Sequence, residues 1–185
     1  MRDDLIKLIF NKAKKNRNIF LLTADLGYSL FDEFVKNLPN QFINVGICEQ
    51  NMISLSAGLA KERKKVFVYS IGNFSSLRCL EFIRNNICYH NLDVSIISCG
   101  SGYEYGQLGF SHHATEVLSV MRSIPNFFVF QPSSPIQTKA MIDYSCGVND
   151  LIYIRVARNE VPELYDKDYI FNPLNAHVVR QGNDM

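Results

Sequence analysis

Glu49 stands in the run Asn44-Val45-Gly46-Ile47-Cys48-Glu49-Gln50-Asn51-Met52, directly after a short apolar stretch and a glycine. The stretch reads as a strand, Gly46 as a tight turn, and the residues from Glu49 onward as a helix. A carboxylate at a helix N-terminus is favoured by the helix dipole. From spacing alone it reads first as an ordinary first-turn helix acid. Gly72-Asn73-Phe74 follows the run KVFVYS. Asn73 is placed to cap the next helix, and Phe74 is a strand-end aromatic or a core one. The loop Gly100 to His113 is rich in glycine and ends in His112-His113. Paired histidines in such a loop fit proton transfer or contact to an oxyanion. They fit a metal less well, because adjacent side chains rarely converge and no acidic third ligand is suitably spaced. The same loop contains no G-x-G-x-x-G, and the chain has no P-loop. Arg158, just beyond the run LIYIRV, is either a bidentate phosphate ligand or a surface charge.

These residues need elements to position them. Six short apolar runs read as strands: 18–24, 42–45, 65–70, 93–98, 126–131 and 151–156. Between them, helical spacing appears over 4–15, 49–62, 74–89, 115–122 and from Pro135 to about Cys146. Ser29 is placed to cap a further helix with Phe31, Phe34 and Val35 on one face. Pro132-Ser133-Ser134-Pro135 caps the last helix. Strand and helix in alternation predict an α/β fold, with a mostly parallel sheet and helices on both faces. Ligands of such sheets bind at loops beyond the C-terminal strand ends. That singles out residues 25–29, 46–50, 70–74, 99–113 and 156–160. Residues 1–165 read as one domain and 166–185 as an extended connector.

Composition excludes several classes. The chain has 185 residues, 47% hydrophobic and 20% charged, enough for a sizeable core in one soluble domain. Its net charge of +1 gives no footprint for nucleic acid or an anionic membrane. Basic runs such as Lys12-Lys14-Lys15-Arg17 fall at helix ends and read as solvated turns. Five cysteines, an odd number without C-x-x-C, fit reduced and mostly buried thiols. There is no signal-peptide pattern and no apolar run of spanning length, so the expected location is the cytoplasm.

Taken together, six ordered segments resemble the pyrimidine-binding domain of transketolases, most closely the C-terminal subunits of split transketolases. They are FLLTADLG, FINVGICEQNMISLSAGLA, SIGNF with the helix LEFIRNNICYHN, LGFSHHATE, MRSIPNFFVFQPSSP and YIRVARNE, spanning about residues 18–160. The resemblance implies a thiamine-diphosphate enzyme that transfers a two-carbon ketol unit between sugar or sugar phosphate substrates. It implies that Glu49, half-buried with a raised pKa, meets N1′ of the aminopyrimidine, so that the ring can take the C2 proton. It places Phe74 against the ring, and Ile71 and Leu77 where many transketolases have further aromatics. Asp25 aligns with an aspartate near the cofactor and the subunit contact. His112 aligns with a histidine near the substrate carbonyl, and Ser29 and Arg158 with residues that hold the sugar phosphate. Leu108 replaces an aspartate that reads a donor hydroxyl.

The family's diphosphate and Mg²⁺ motif does not occur in the sequence. The resemblance therefore implies a partner chain that carries it, and a homo- or hetero-oligomer. The family's C-terminal domain is also expected beyond residues 178–185, whose pattern resembles the approach to its first strand. Two other readings share the fold. One is a beta-type subunit of a 2-oxo-acid dehydrogenase, against which the R-S-I-P-N and G-I-C-E-Q segments speak. The other is a binding module that has lost catalysis.

Overall fold

The computed structural model describes residues 2–182. Six parallel strands form one sheet in the order β2-β1-β3-β4-β6-β5. They are β1 (Ile19–Thr23), β2 (Phe42–Asn44), β3 (Lys65–Ile71), β4 (Val94–Cys99), β5 (Phe128–Phe130) and β6 (Ile152–Val156). The central strands β3, β4 and β6 are buried along nearly their whole length. Parallel strands covered on both faces read as continuous apolar runs, and this is why the sequence shows them without alternation.

Side chains leave the strands to alternate faces. Leu22, Val66, Val68, Ile96 and Tyr153 join one core, while Leu21, Phe67, Ile97, Ile152 and Ile154 join the other. The first core is closed by Met52 and Ile53 of α3 (Glu49–Lys61), by Ile83 and Ile87, and by Met121 of α6 (Val117–Arg122). The second is closed by Leu5 and Ile9 of α1 (Arg2–Ala13), Phe34 of α2 (Asp32–Asn37) and Ile142 of α7 (Pro135–Gly147). Ser134 caps α7 by accepting the Gln137 N–H.

Three expectations need correction. The segment 74–89 is not one helix. It is a short turn of helix, α4 (Gly72–Ser75), a 3₁₀ turn Leu77–Cys79, a turn of α-helix, α5 (Leu80–Phe82), and a π-helical stretch Ile83–Cys88. Ser76, at φ −121° and ψ −82°, breaks the helical path. Ser29 does not cap α2, because the helix begins three residues later with Phe31 at its N-cap. Ser29 adopts a left-handed φ of 59°, and Val35 faces solvent rather than the core. Asn73 lies inside α4 rather than at its cap, and its side-chain amide donates to the Ser111 carbonyl.

From residue 161 to 182 the chain has neither helix nor strand. Phe171 nevertheless packs on Phe130 and Tyr144, which ties this segment to the domain. Residues 183–185, the end of the expected approach to a further strand, lie outside the described residues, and 178–182 form none. Among the described residues no helix is long and apolar enough to cross a membrane.

Candidate active site

The chain runs outward from β1 to β2 and returns across β1 to β3, so the strand order reverses between β1 and β3. A crevice opens at such a reversal, beyond the carboxyl ends of the strands. Beyond these strand ends, Asp25 lies in the loop after β1, Glu49 opens the helix that follows β2, and Phe74 lies in the helical turn that follows β3.

Asn44, the last residue of β2, ties the first two loops together. Its side-chain oxygen accepts the N–H of Asp25 (2.9 Å) and of Gly46 (3.0 Å), and its amide donates to the Asp25 carboxylate (3.3 Å). Gly46 turns the chain at φ +75°, a conformation costly to a residue with a Cβ. Glu49 then opens α3 with its side chain only 3% exposed, deeper than the half-buried placement expected from the sequence. Burial of a carboxylate is tolerated when it is paired. The partner is Arg78, whose Nη1 donates to Glu49 Oε2 at 2.8 Å.

Arg78 was not legible as a site residue. Its guanidinium carbon also lies 4.6 Å from the centroid of the Phe74 ring. Phe74 in turn meets the His112 ring edge-on at 5.1 Å, and His112 meets Tyr105 at 5.8 Å. Arg158 stacks its guanidinium 4.9 Å from the Tyr105 centroid. Glu49, Arg78, Phe74, His112, Tyr105 and Arg158 thus form one continuous line of contacts across the strand ends. Burial, reinforced by the nearby Cys99 thiol, pushes the Tyr105 hydroxyl above its usual range. Burial likewise holds the Cys79 thiol up at about 12, with the Glu49 charge adding to it.

The two histidines diverge. Nδ1 of His112 shares a hydrogen bond with the Ser111 hydroxyl (3.0 Å), while Nε2 of His113 bonds the Gly106 carbonyl (3.0 Å) against Tyr103. Glu104 braces the loop by accepting the N–H of Ser101 (2.7 Å) and of Arg158 (3.2 Å). Gly72 lets α4 press on this loop. A Cβ there would stand 2.9 Å from the Gly100 carbonyl oxygen and 3.0 Å from the Ala114 Cβ.

The remaining residues singled out by sequence are more scattered. Leu77 packs against the first core, and Ile71 ends β3 beside Cys99. Leu108 is 52% exposed at the end of a 3₁₀ turn, Gly106–Leu108. Ser29 lines a groove of about 200 Å³ with Arg2, Lys7, Asp32 and Glu33. Among the described residues no group of three or more His, Cys, Asp or Glu side chains is placed to hold a metal ion.

Comparison with known proteins supplies the family. The model of the transketolase pyrimidine-binding domain matches residues 4–163. The chain belongs to the transketolase pyrimidine-binding family. It is 36% identical over 149 residues to an apulose-4-phosphate transketolase subunit of Actinobacillus succinogenes, covering 80% of this chain and 48% of that protein. It is 36% identical over 169 residues to a putative transketolase C-terminal section of Methanocaldococcus jannaschii, covering 91% and 54%. A solved structure described as a split gene transketolase, an inactive beta4 tetramer, superposes with a TM-score of 0.86 at 35% identity. That match covers 98% of this chain and 59% of the other. The chain spans about half the length of the curated relatives it matches. The fold expected from the sequence, a transketolase-type pyrimidine domain on a parallel sheet, is the fold observed.

Proposed function

We propose that this chain is the pyrimidine-side subunit of a thiamine-diphosphate-dependent, transketolase-type enzyme. A second chain carries the diphosphate and Mg²⁺ site, and the assembled cytoplasmic enzyme transfers a two-carbon ketol unit between sugar or sugar phosphate substrates. One observation carries the reading. Glu49, the buried first residue of α3 in a transketolase-family chain, lies one guanidinium away from the face of Phe74. The residues present fit an aminopyrimidine, since a planar N–H donor already bridges that carboxylate and that ring. Relatives described as a transketolase subunit and as a C-terminal section support a divided enzyme, and an inactive tetramer called beta4 supports dependence on a second kind of chain.

Thiamine diphosphate, when bound, supplies the acidic carbon that carries the two-carbon unit. This chain supplies position and proton control. Glu49 holds a proton at ring N1′, aided by the dipole of α3. Phe74 offers the stacking face, with Ile71 and Leu77 as aliphatic neighbours. Asp25, fixed by Asn44, marks the edge toward the subunit contact. His112, set between Phe74 and Tyr105, donates to the substrate carbonyl oxygen. Arg158 and Ser29 hold the phosphate of the sugar. Leu108, in place of a hydroxyl-reading acid, shifts donor choice away from ordinary ketose phosphates.

Calorimetry with thiamine diphosphate and Mg²⁺ tests the division of the site. Sub-micromolar binding is expected only when the diphosphate-binding chain is mixed with this one. Sub-micromolar binding to this chain alone would contradict the proposal.

A further inference from the structure

Arg78 touches both groups that the proposed function assigns to the pyrimidine ring. Its Nη1 donates to Glu49 Oε2 at 2.8 Å, and its guanidinium lies 4.6 Å over Phe74. A guanidinium is planar, delocalised and cationic, and it donates N–H bonds in its own plane. An aminopyrimidine protonated at N1′ has the same properties. The two therefore compete for one carboxylate and one aromatic face. Glu49 is 3% exposed and Arg78 is 46% exposed, so the carboxylate is fixed in the protein and the arginine head has water within reach. The backbone beneath Arg78 is held independently. Its carbonyl accepts from the Gln50 side chain (3.2 Å), and the 3₁₀ turn Leu77–Cys79 around it is closed by the Cys79 N–H donating to the Ser76 carbonyl (3.0 Å). The side chain can swing away while the turn stays in place.

We propose that Arg78 is a placeholder for the pyrimidine. It neutralises the buried Glu49 carboxylate and covers Phe74 until the ring displaces it into solvent. Arg78 is on this view a positioning residue that sets cofactor affinity, and it makes no contact with the ring once displaced. The inference rests on Glu49 and Phe74 being the ring's contacts.

The test uses the full 185-residue chain. Its probe is the isolated ring, 4-amino-5-hydroxymethyl-2-methylpyrimidine, whose N1′ can take up a proton, titrated by ligand-observed NMR with folding monitored by circular dichroism. Arg78→Met removes the charge and the planar stack, and is expected to bind the fragment about tenfold more tightly than wild type, since one partly exposed ion pair and one cation–π contact no longer compete. Arg78→Lys, which keeps the charge without the plane, is expected to fall between them and covers the case of a poorly folding Met variant. In a Glu49→Gln background the gain should shrink, because the arginine is no longer held. A merely structural arginine would give the opposite sign, weaker binding on removal. Equal or weaker binding by folded Arg78→Met and Arg78→Lys, or no binding to either at millimolar fragment, overturns the placeholder. If wild type binds the fragment and Glu49→Gln does not weaken it, the pyrimidine reading of Glu49 itself fails, and that outcome is distinct.

Discussion

At the scale of single residues, the site is governed by a buried carboxylate and the guanidinium that neutralises it. Removing Arg78 leaves Glu49 buried without a cationic partner, so Arg78→Met should lower stability by about 1–3 kcal/mol. Denaturant melts check this, and Arg78→Met with Glu49→Gln should recover most of the loss. A full-sized loss in the double variant would mean that Arg78 stabilises through packing and not through charge. Leu108 makes a prediction about substrates. An aliphatic side chain cannot accept a hydrogen bond from a donor hydroxyl, and an unpaired buried hydroxyl costs about 1–3 kcal/mol, roughly ten- to a hundredfold in specificity. In the assembled enzyme, Leu108→Asp should improve use of ordinary ketose phosphates in a donor panel. Unchanged specificity would place Leu108 outside the substrate site. The glycine turn and helix start at Glu49 were legible because they are adjacent in sequence, while a site role for its carboxylate came only from the family resemblance. Arg78 was not, being 29 residues away from Glu49 and bonded to it only through the fold. The one available signal was its spacing, since Phe74 and Arg78 are four apart, and side chains at that spacing meet on a helical turn.

At the scale of elements, strands were easier to read than the segment that builds the site. Six apolar runs gave six strands because burial on both faces leaves little room for polar residues. The boundaries of β2 and β5 contracted to Phe42–Asn44 and Phe128–Phe130, the two edge strands of the sheet. The region 72–88 misled because Leu77, Leu80, Ile83 and Ile87 keep an apolar spacing through a path that changes from α to 3₁₀ to π. Hydrophobic periodicity reports which side chains face the core and not which hydrogen bond each carbonyl accepts. That irregular path is what places Phe74 and Arg78 toward the crevice while Cys79 and Ile83 enter the core. Gly72 starts it under close confinement by the Gly100 carbonyl. Gly72→Ala should therefore displace α4 and cost about 1–3 kcal/mol by overpacking. Thermal unfolding checks the cost, and a Tm equal to that of wild type would show that the two loops separate freely.

At the scale of the whole molecule, buried titratable groups set the response to pH. Burial raises Cys79, Cys88 and Tyr153 to about 12 each, from 9.0 for the thiols and 10.0 for the phenol. These groups stay protonated in the folded chain while the unfolded chain ionises. Stability they contribute is present in full below their unfolded values and is lost as pH rises from about 9 toward 12. Urea midpoints should be flat near neutrality and fall over that window, and a flat profile to pH 11 would contradict the burial. The surface carries a second expectation. Tyr28, Ile47 and Phe110 are 99%, 74% and 86% exposed in loops beyond the carboxyl ends of the strands. Exposed apolar surface in the loops that carry a proposed site marks an interface. Sedimentation should show self-association or a complex with the diphosphate-binding chain, and a monomer under both conditions would count against a divided site. The most direct measurement of the central claim is proton exchange at C2 of thiamine diphosphate in the assembled complex, followed by NMR in deuterated buffer. Glu49→Gln is expected to slow it by ~10²-fold or more with the cofactor still bound, the usual scale for a positioned acid–base group. Exchange at the wild-type rate in Glu49→Gln, with cofactor bound, would reduce Glu49 to a buried helix-start acid and contradict the account.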